Sequence, residues 1–147
     1  MSVPVIVTGN LGYLGPIVVK KLRDQGAVVL GIDPNFYEVE LPYDCTADVQ
    51  VGSFDKAPRA FWEPKAVLHL AAISNDPMGD LNPTITYNTN VTLVSEIAEA
   101  FNGAKHVLAS SASVYGFTEQ AASENDQLNP LTAYADSKVK AERVLRM

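Results

Sequence analysis

A run of apolar and β-branched residues, PVIVTG from Pro4 to Gly9, leads directly into three glycines at intervals of three, Gly9, Gly12 and Gly15. Few folds accommodate a buried strand that ends in such a loop and passes at once into a helix. The helix is predicted over LGPIVVKKLRDQG, Leu14 to Gly26, closed by its glycine. Pro16 falls in its first turn, where the missing N–H has no intrahelical partner to lose. The pattern then repeats. AVVLGID (Ala27 to Asp33) reads as a second strand and DCTADV (Asp44 to Val49) as a weaker third, followed by a short helix over FDKAPRAFW. AVLHLAA (Ala66 to Ala72) is a fourth strand, and a long helix from about Pro83 to Phe101 sets Val91, Val94, Ile97, Ala98 and Phe101 on one stripe. KHVLASS (Lys105 to Ser111) is a fifth strand, and a helix from about Leu131 runs to the last residue. Alternating strands and helices imply right-handed crossovers in a parallel sheet. Strands that are apolar almost throughout imply a sheet covered on both faces. The expected class is α/β, doubly wound, in one domain over 1–147.

Composition narrows what such a domain can bind. The chain carries a formal net charge of −6, which disfavours a partner held through phosphate-backbone charge, so no nucleic acid is expected. The single cysteine, Cys45, allows no internal disulfide. The first residues lack a basic stretch and their apolar run is too short for a signal or a membrane span, so the expected setting is cytoplasmic, without a membrane partner. His69 and His106 are far apart in sequence and no metal-ligand spacing is seen, so no metal is expected, and His69 reads as a buried, satisfied histidine. Phe54, Phe61 and Trp62 read as core. SNDPMGDLNP, after the fourth strand, reads as a polar loop.

The glycines are compatible with a plain strand-capping turn or with a phosphate cradle. In open α/β sheets ligands sit beyond the carboxyl ends of the strands, where this loop lies. Glycines let the backbone approach a pyrophosphate, and the next helix aims its unbonded N–H groups and positive dipole end at it. The spacing is G-x-x-G-x-x-G rather than G-x-G-x-x-G. Asp33 strengthens the second reading. It ends the second strand, where a carboxylate can accept hydrogen bonds from the adenosine ribose hydroxyls. Pro34, Asn35 and Phe36 follow, with no arginine to welcome a 2′-phosphate, which favours NAD over NADP.

Tyr134 and Lys138, in YADSK, stand four apart on the last predicted helix and face one side of it. A tyrosine hydroxyl, with an ordinary pKa of about 10, is a poor base at neutral pH. A nearby ammonium stabilises the phenolate, the adjustment required for removing a proton from an alcohol. Ser111, in SSASVYG at a strand end, could hold the same alcohol oxygen.

TGNLGYLG, HLAA, SSASVYG and YADSK, in that order, resemble the extended short-chain dehydrogenase/reductases, the NAD-dependent sugar epimerase/dehydratase group that includes UDP-glucose 4-epimerase. The resemblance covers nearly the whole chain. It implies a Rossmann sheet of about five strands ordered 3-2-1-4-5, a tightly held NAD and a nucleotide-linked sugar substrate. Matched residue by residue, it assigns Gly9, Gly12 and Gly15 to the pyrophosphate loop, with Tyr13 and Leu14 supplying backbone amides. Asp33 becomes the ribose acid, and Asp48 with Val49 the adenine pair. Leu70, Ala71 and Ala72 become the strand end passing the cofactor, and Asn90 a helix asparagine beside it. Ser111, Tyr134 and Lys138 become the catalytic triad, the last two also touching the cofactor. Dehydratases of the group carry Thr-Asp-Glu where this chain has Ser111, Ala112 and Ser113, which favours epimerase or ketoreductase chemistry over elimination of water. Family members run to about twice this length, so the chain is expected to correspond to their N-terminal part, with the substrate domain absent. The group's four-helix interface implies a homodimer through the helices containing Asn90 and Tyr134. A second reading keeps the fold and the cofactor, as a truncated NAD-binding module or sensor without turnover.

Overall fold

Val3–Thr8, the run ahead of the glycines, is β1, the central strand of a five-stranded parallel sheet in the computed structural model, which describes residues 3–147. The other strands are β2 (Ala27–Ile32), β3 (Val49–Val51), β4 (Ala66–His69) and β5 (Lys105–Leu108), in the order β3-β2-β1-β4-β5. Thr8 is level with Ile32 on one side and His69 on the other, and Ile32 is level with Val51, so the carboxyl ends of four strands open at one edge. The described residues divide into two compact units. One is the chain through Ala71 with Ile97–Ala109, and the other is Ala72–Glu96 with Ser110–Met147.

The first unit holds the whole sheet and α1 (Gly15–Asp24). α1 places Val19 against Val5, Val7 and Val29, with Leu22, Ala27, Ala47, Ala66, Leu68 and Leu70 packed around them. Ile6, pleated to the opposite face from Val5 and Val7, is also fully buried, as are Leu30 and Val67. The sheet is thus covered on both sides, which explains its near-continuous apolar strands. Removing a side chain such as that of Ile6 by mutation to Ala costs about 2–5 kcal/mol.

The second unit contains α2 (Asp76–Leu81), α3 (Pro83–Tyr87), a π turn (Asn88–Thr92), the start of α4 (Leu93–Ala100), a 3₁₀ turn (Ala112–Tyr115) and α5 (Ala133–Arg146). Thr132 caps α5, its hydroxyl accepting from Ala135 N at 3.1 Å. Among the described residues no helix is long and apolar enough to cross a membrane.

Five local expectations are corrected. The third strand lies at Val49–Val51, because Tyr43–Cys45 is a 3₁₀ turn and the Asp48 carboxylate accepts from Val29 N at 2.8 Å in place of a ladder bond. FDKAPRAFW forms two 3₁₀ turns, Phe54–Lys56 and Arg59–Phe61, since Pro58 stands where an α-helix would need its N–H. Phe61 is buried there, but Trp62 is 47% exposed, tilted against Phe101 at 5.9 Å with its Nε1 donating to Ala57 O. SNDPMGDLNP contains α2 rather than a plain loop, because Asn75 caps Met78 N at 3.0 Å and Pro77 suits a first turn. The long helix is interrupted by its π turn, and Val94, Ile97 and Phe101 form the buried stripe of its second part.

Candidate functional site

In the first unit, the loop between β1 and α1 is shaped by what its glycines lack. Gly9 has φ +67, and a Cβ there would lie 2.5 Å from Ala71 N. Leu70 N donates to Thr8 O and Ala71 N to the Thr8 hydroxyl, both at 3.2 Å, which fixes that strand end against the loop. A Cβ on Gly15 would lie 2.3 Å from Asn10 O, so α1 begins in direct contact with the loop backbone. Gly12 is less constrained, its Cβ position being 3.2 Å from Gly9 O. Tyr13 is 94% exposed, and Leu14, at the N-cap position of α1, supplies no side-chain cap, nor does the first turn hold an acidic residue. Unbonded N–H groups at a positive helix end, reached by a backbone stripped of side chains, suit a phosphate.

Asp33 closes β2 beside this loop. Its Oδ2 accepts from Leu11 N at 3.2 Å and its Oδ1 from Asn35 N at 2.8 Å, while its own N–H donates to Val51 O. The carboxylate is therefore oriented by backbone donors, with lone pairs remaining for a ligand hydroxyl. Asn10, missed in the sequence, is fully buried beneath the loop and donates from Nδ2 to Gln50 Oε1 at 2.6 Å. A side chain at Gly31 would collide with both. The pairing was hidden because it joins residues 40 positions apart.

Asp48 and Val49 do not stand with this group. Asp48 precedes β3 and Val49 begins it, level with Val29 and Leu30 in the middle of β2. The Asp48 carboxylate is bound to Arg23 Nε at 3.2 Å as well as to Val29 N. Asp48 thus has two partners of its own at the entry to β3, whereas Ser53 and Phe54 follow the carboxyl end of that strand.

In the second unit, α5 buries Tyr134 and Lys138 on one face, 8% and 4% exposed. The Lys138 Nζ lies 5.8 Å from the centre of the Tyr134 ring, and burial pushes the Lys138 pKa below its ordinary 10.5. α2 packs behind Tyr134, where a Cβ on Gly79 would come within 2.6 Å of the Tyr134 Cβ. Ser111 begins the 3₁₀ turn, its Oγ accepting from Ser113 N at 3.2 Å. Ser113 donates from its Oγ to Asp76 Oδ2 at 3.2 Å. Asn90, 2% exposed, lies in the π turn. Its Oδ1 accepts from Ile73 N at 2.8 Å, and its Nδ2 donates to Ile73 O at 3.0 Å and to the Ser137 hydroxyl at 2.9 Å. Its amide thus clamps the segment directly after Ala72.

His69 is buried, with Nε2 2.9 Å from His106 Nδ1, and His106 Nε2 is 3.1 Å from Phe101 O. A carbonyl only accepts, so His106 carries its hydrogen on Nε2 and its Nδ1 accepts from His69. Among the described residues no group of three or more His, Cys, Asp or Glu is placed to hold a metal ion.

Residues 5–147 match the sequence profile of the NAD dependent epimerase/dehydratase family. The chain is similar to a UDP-glucose 4-epimerase of Lactobacillus helveticus, 29% identical over 150 residues that make up 96% of this chain and 46% of that protein. Among solved structures it is similar to MoeE5 in complex with UDP-glucose and NAD, with 28% identity, a TM-score of 0.81 and coverage of 97% of this chain and 48% of the other. It is also similar to the UDP-N-acetylglucosamine 4-epimerase from Methanobrevibacter ruminantium M1 in complex with UDP-N-acetylmuramic acid. There the identity is 25%, the TM-score 0.85, and the match covers 99% of this chain and 50% of that one. The chain spans about half the length of the relatives it matches.

Proposed function

The chain belongs to the NAD-dependent epimerase/dehydratase family, and from that premise we propose that it binds NAD and carries the acid–base residues for reversible oxidation of a hydroxyl on a nucleotide-linked sugar, as an epimerase or oxidoreductase. In the first unit, the backbone of Gly9, Gly12, Tyr13, Leu14 and Gly15 receives the pyrophosphate. Asp33 receives the adenosine ribose, Ser53 and Phe54 replace Asp48 and Val49 beside the adenine, and Leu70 and Ala71 supply the strand end. The close approaches at Gly9 and Gly15 support this fit, since any larger residue would meet the backbone of Ala71 or Asn10 and force the loop out of shape. In the second unit, the resemblance gives Ala72, Asn90, Tyr134 and Lys138 to the cofactor as well, and the buried amide of Asn90 holds Ile73 in place.

The buried pair of Tyr134 and Lys138 on one face of α5 carries the proposal. NAD, when bound, supplies the hydride acceptor and, for epimerisation, the returning hydride. Tyr134 takes the hydroxyl proton as the alcohol becomes a ketone and gives it back on reduction. The Lys138 ammonium, held in a low-dielectric setting, stabilises the phenolate more strongly than it would in water. Ser111, whose Oγ already accepts from Ser113 N, has its own hydrogen to donate to the sugar oxygen. A homodimer through the helices containing Asn90 and Tyr134 completes the proposal, and sedimentation of the chain tests it, a monomer at tens of micromolar counting against it.

The functional test offers the purified chain UDP-hexoses with NAD and follows epimerised product and transient NADH. Turnover abolished by Tyr134→Phe supports the enzyme. NAD binding without turnover supports a dinucleotide-binding module instead, and failure to bind NAD overturns both.

A further inference from the structure

We infer that Asp76 is a positioning residue, whose carboxylate ties the turn bearing Ser111 to the start of the helix bearing Tyr134 and so sets one reacting group against the other. This rests on the proposed roles of Ser111 and Tyr134. The links are continuous within the second unit. Ser111 Oγ accepts from Ser113 N, and the Ser113 hydroxyl donates to Asp76 Oδ2 at 3.2 Å. The other oxygen, Asp76 Oδ1, accepts from the Thr132 hydroxyl. That same hydroxyl oxygen caps Ala135 N in the first turn of α5, one residue beyond Tyr134.

Two features show that α2 is built to deliver this carboxylate. Asn75, immediately before Asp76, has φ +69 and ψ 154, a conformation that a non-glycine residue holds only where its surroundings require it. Asp80, one turn further along α2, accepts from Ala133 N at 3.0 Å, so a second carboxylate grips the same helix end. The two oxygens of one side chain give each hydroxyl its own acceptor, so a single residue can bridge both. Ser113 stands where dehydratases of the resembled group carry a glutamate, so here the acid near that turn arrives from α2 and is engaged by hydroxyl donors.

The test compares Asp76→Ala, Asp76→Asn and Ser113→Ala with the parent chain, each checked for native circular dichroism. The tyrosine ring resonance of Tyr134, assigned in carbon-13-labelled protein, is read without any ligand. Turnover of the UDP-hexose that the parent accepts is read separately. An asparagine can accept from one hydroxyl and donate to the other, so it keeps the bridge but removes the charge. Asp76→Ala is expected to displace the Tyr134 resonance and to lower kcat by about tenfold or more with KM within about twofold, because misplaced groups slow the chemistry rather than the binding. Asp76→Asn is expected to restore both, and Ser113→Ala, which cuts one arm only, to displace the resonance partially. If asparagine is as damaging as alanine, the carboxylate acts as a base or a charge and the inference fails. It also fails if Asp76→Ala lowers Tm while leaving resonance and kcat unchanged. Should Asp76→Ala not fold, Ser113→Ala decides, an unmoved Tyr134 resonance overturning the bridge. A parent chain without turnover refutes the functional proposal, while the resonances still decide the role of Asp76.

Discussion

The glycine loop of the first unit and the α2–α5 assembly of the second are built by opposite means. The loop is defined by atoms that are missing: Cβ positions at Gly9 and Gly15 would lie within 2.5 Å of backbone that nothing can move aside cheaply. The α2–α5 assembly is defined by side chains that are present, with Asp76, Asp80, Ser113, Thr132, Asn90 and Ser137 all hydrogen bonded. A surface made of backbone offers uniform donors and suits an anion of fixed shape. A surface made of side chains can hold a titrating group in place. The difference teaches that damage to the two regions should differ in kind, addition harming the first and subtraction the second.

The largest effect expected is from subtraction. Tyr134→Phe removes a single oxygen, and turnover of the nucleotide sugar should fall about a thousandfold or more, with NAD affinity nearly unchanged by titration calorimetry. Retention of most activity would remove Tyr134 from the proposed chemistry. Addition comes next. Gly15→Ala forces a methyl to 2.3 Å from Asn10 O and should cost about 1–3 kcal/mol in urea unfolding and weaken NAD by about tenfold. Gly12→Ala, whose methyl meets only Gly9 O at 3.2 Å, should cost clearly less. Equal costs would mean that close approach does not shape the loop.

Asp33→Ala should weaken NAD by about tenfold, from the loss of charge-assisted bonds to the ribose, and narrow its advantage over NADP. Parallel titrations of both cofactors check this, and an unchanged ratio would detach Asp33 from the ribose. The smallest effect concerns the surface of α5, where Lys140 Nζ lies 2.7 Å from Asp136 Oδ2 and the Tyr87 hydroxyl donates to the same carboxylate. Burial, the largest single influence, raises the Asp136 pKa, but the hydrogen bonds from Lys140 and Tyr87 together outweigh it and hold the carboxyl below its ordinary 3.8. A depressed carboxyl stabilises the fold above the unfolded value of 3.8, and that contribution is lost as pH falls through the lower folded value. Lys140→Ala should therefore cost only about 0.5 kcal/mol at neutral pH and flatten the acid limb of a stability profile. An unaltered acid limb would show that the pair contributes nothing.

What could be read in the sequence follows the same division. The loop, Asp33 and the strands around them are local patterns, and β1, β2, α1 and the 3-2-1-4-5 order are found as expected. Tyr134 and Lys138 were legible because one helical turn joins them. The third strand lies later than DCTADV because three residues carry too little periodicity to register a strand. α2 has local start signals in Asn75 and Pro77, but its six residues are too few to show an apolar period, and the partners of Asp76 and Asp80 at Ser113, Thr132 and Ala133 are 37 to 56 positions away. Hydrogen bonds over such distances leave no spacing for a reader to find.

The π turn at Asn88–Thr92 has a consequence for insertions and deletions. A wider turn is equivalent to one residue looped into an otherwise regular helix. The buried positions Thr86, Asn90, Val94, Ile97 and Phe101 are separated by four, four, three and four residues, and two successive fours would drift off one face of a straight helix by about 80°. The extra residue absorbs that drift. A homologue lacking one residue here would form an unbroken α-helix without rotating what lies downstream, because spacings of three and four then keep Thr86, Val94, Ile97 and Phe101 on one face. Alignments of this segment should therefore accept the loss of one residue at the π turn, whereas a further insertion would turn Val94 and Ile97 by about 100° out of their buried positions.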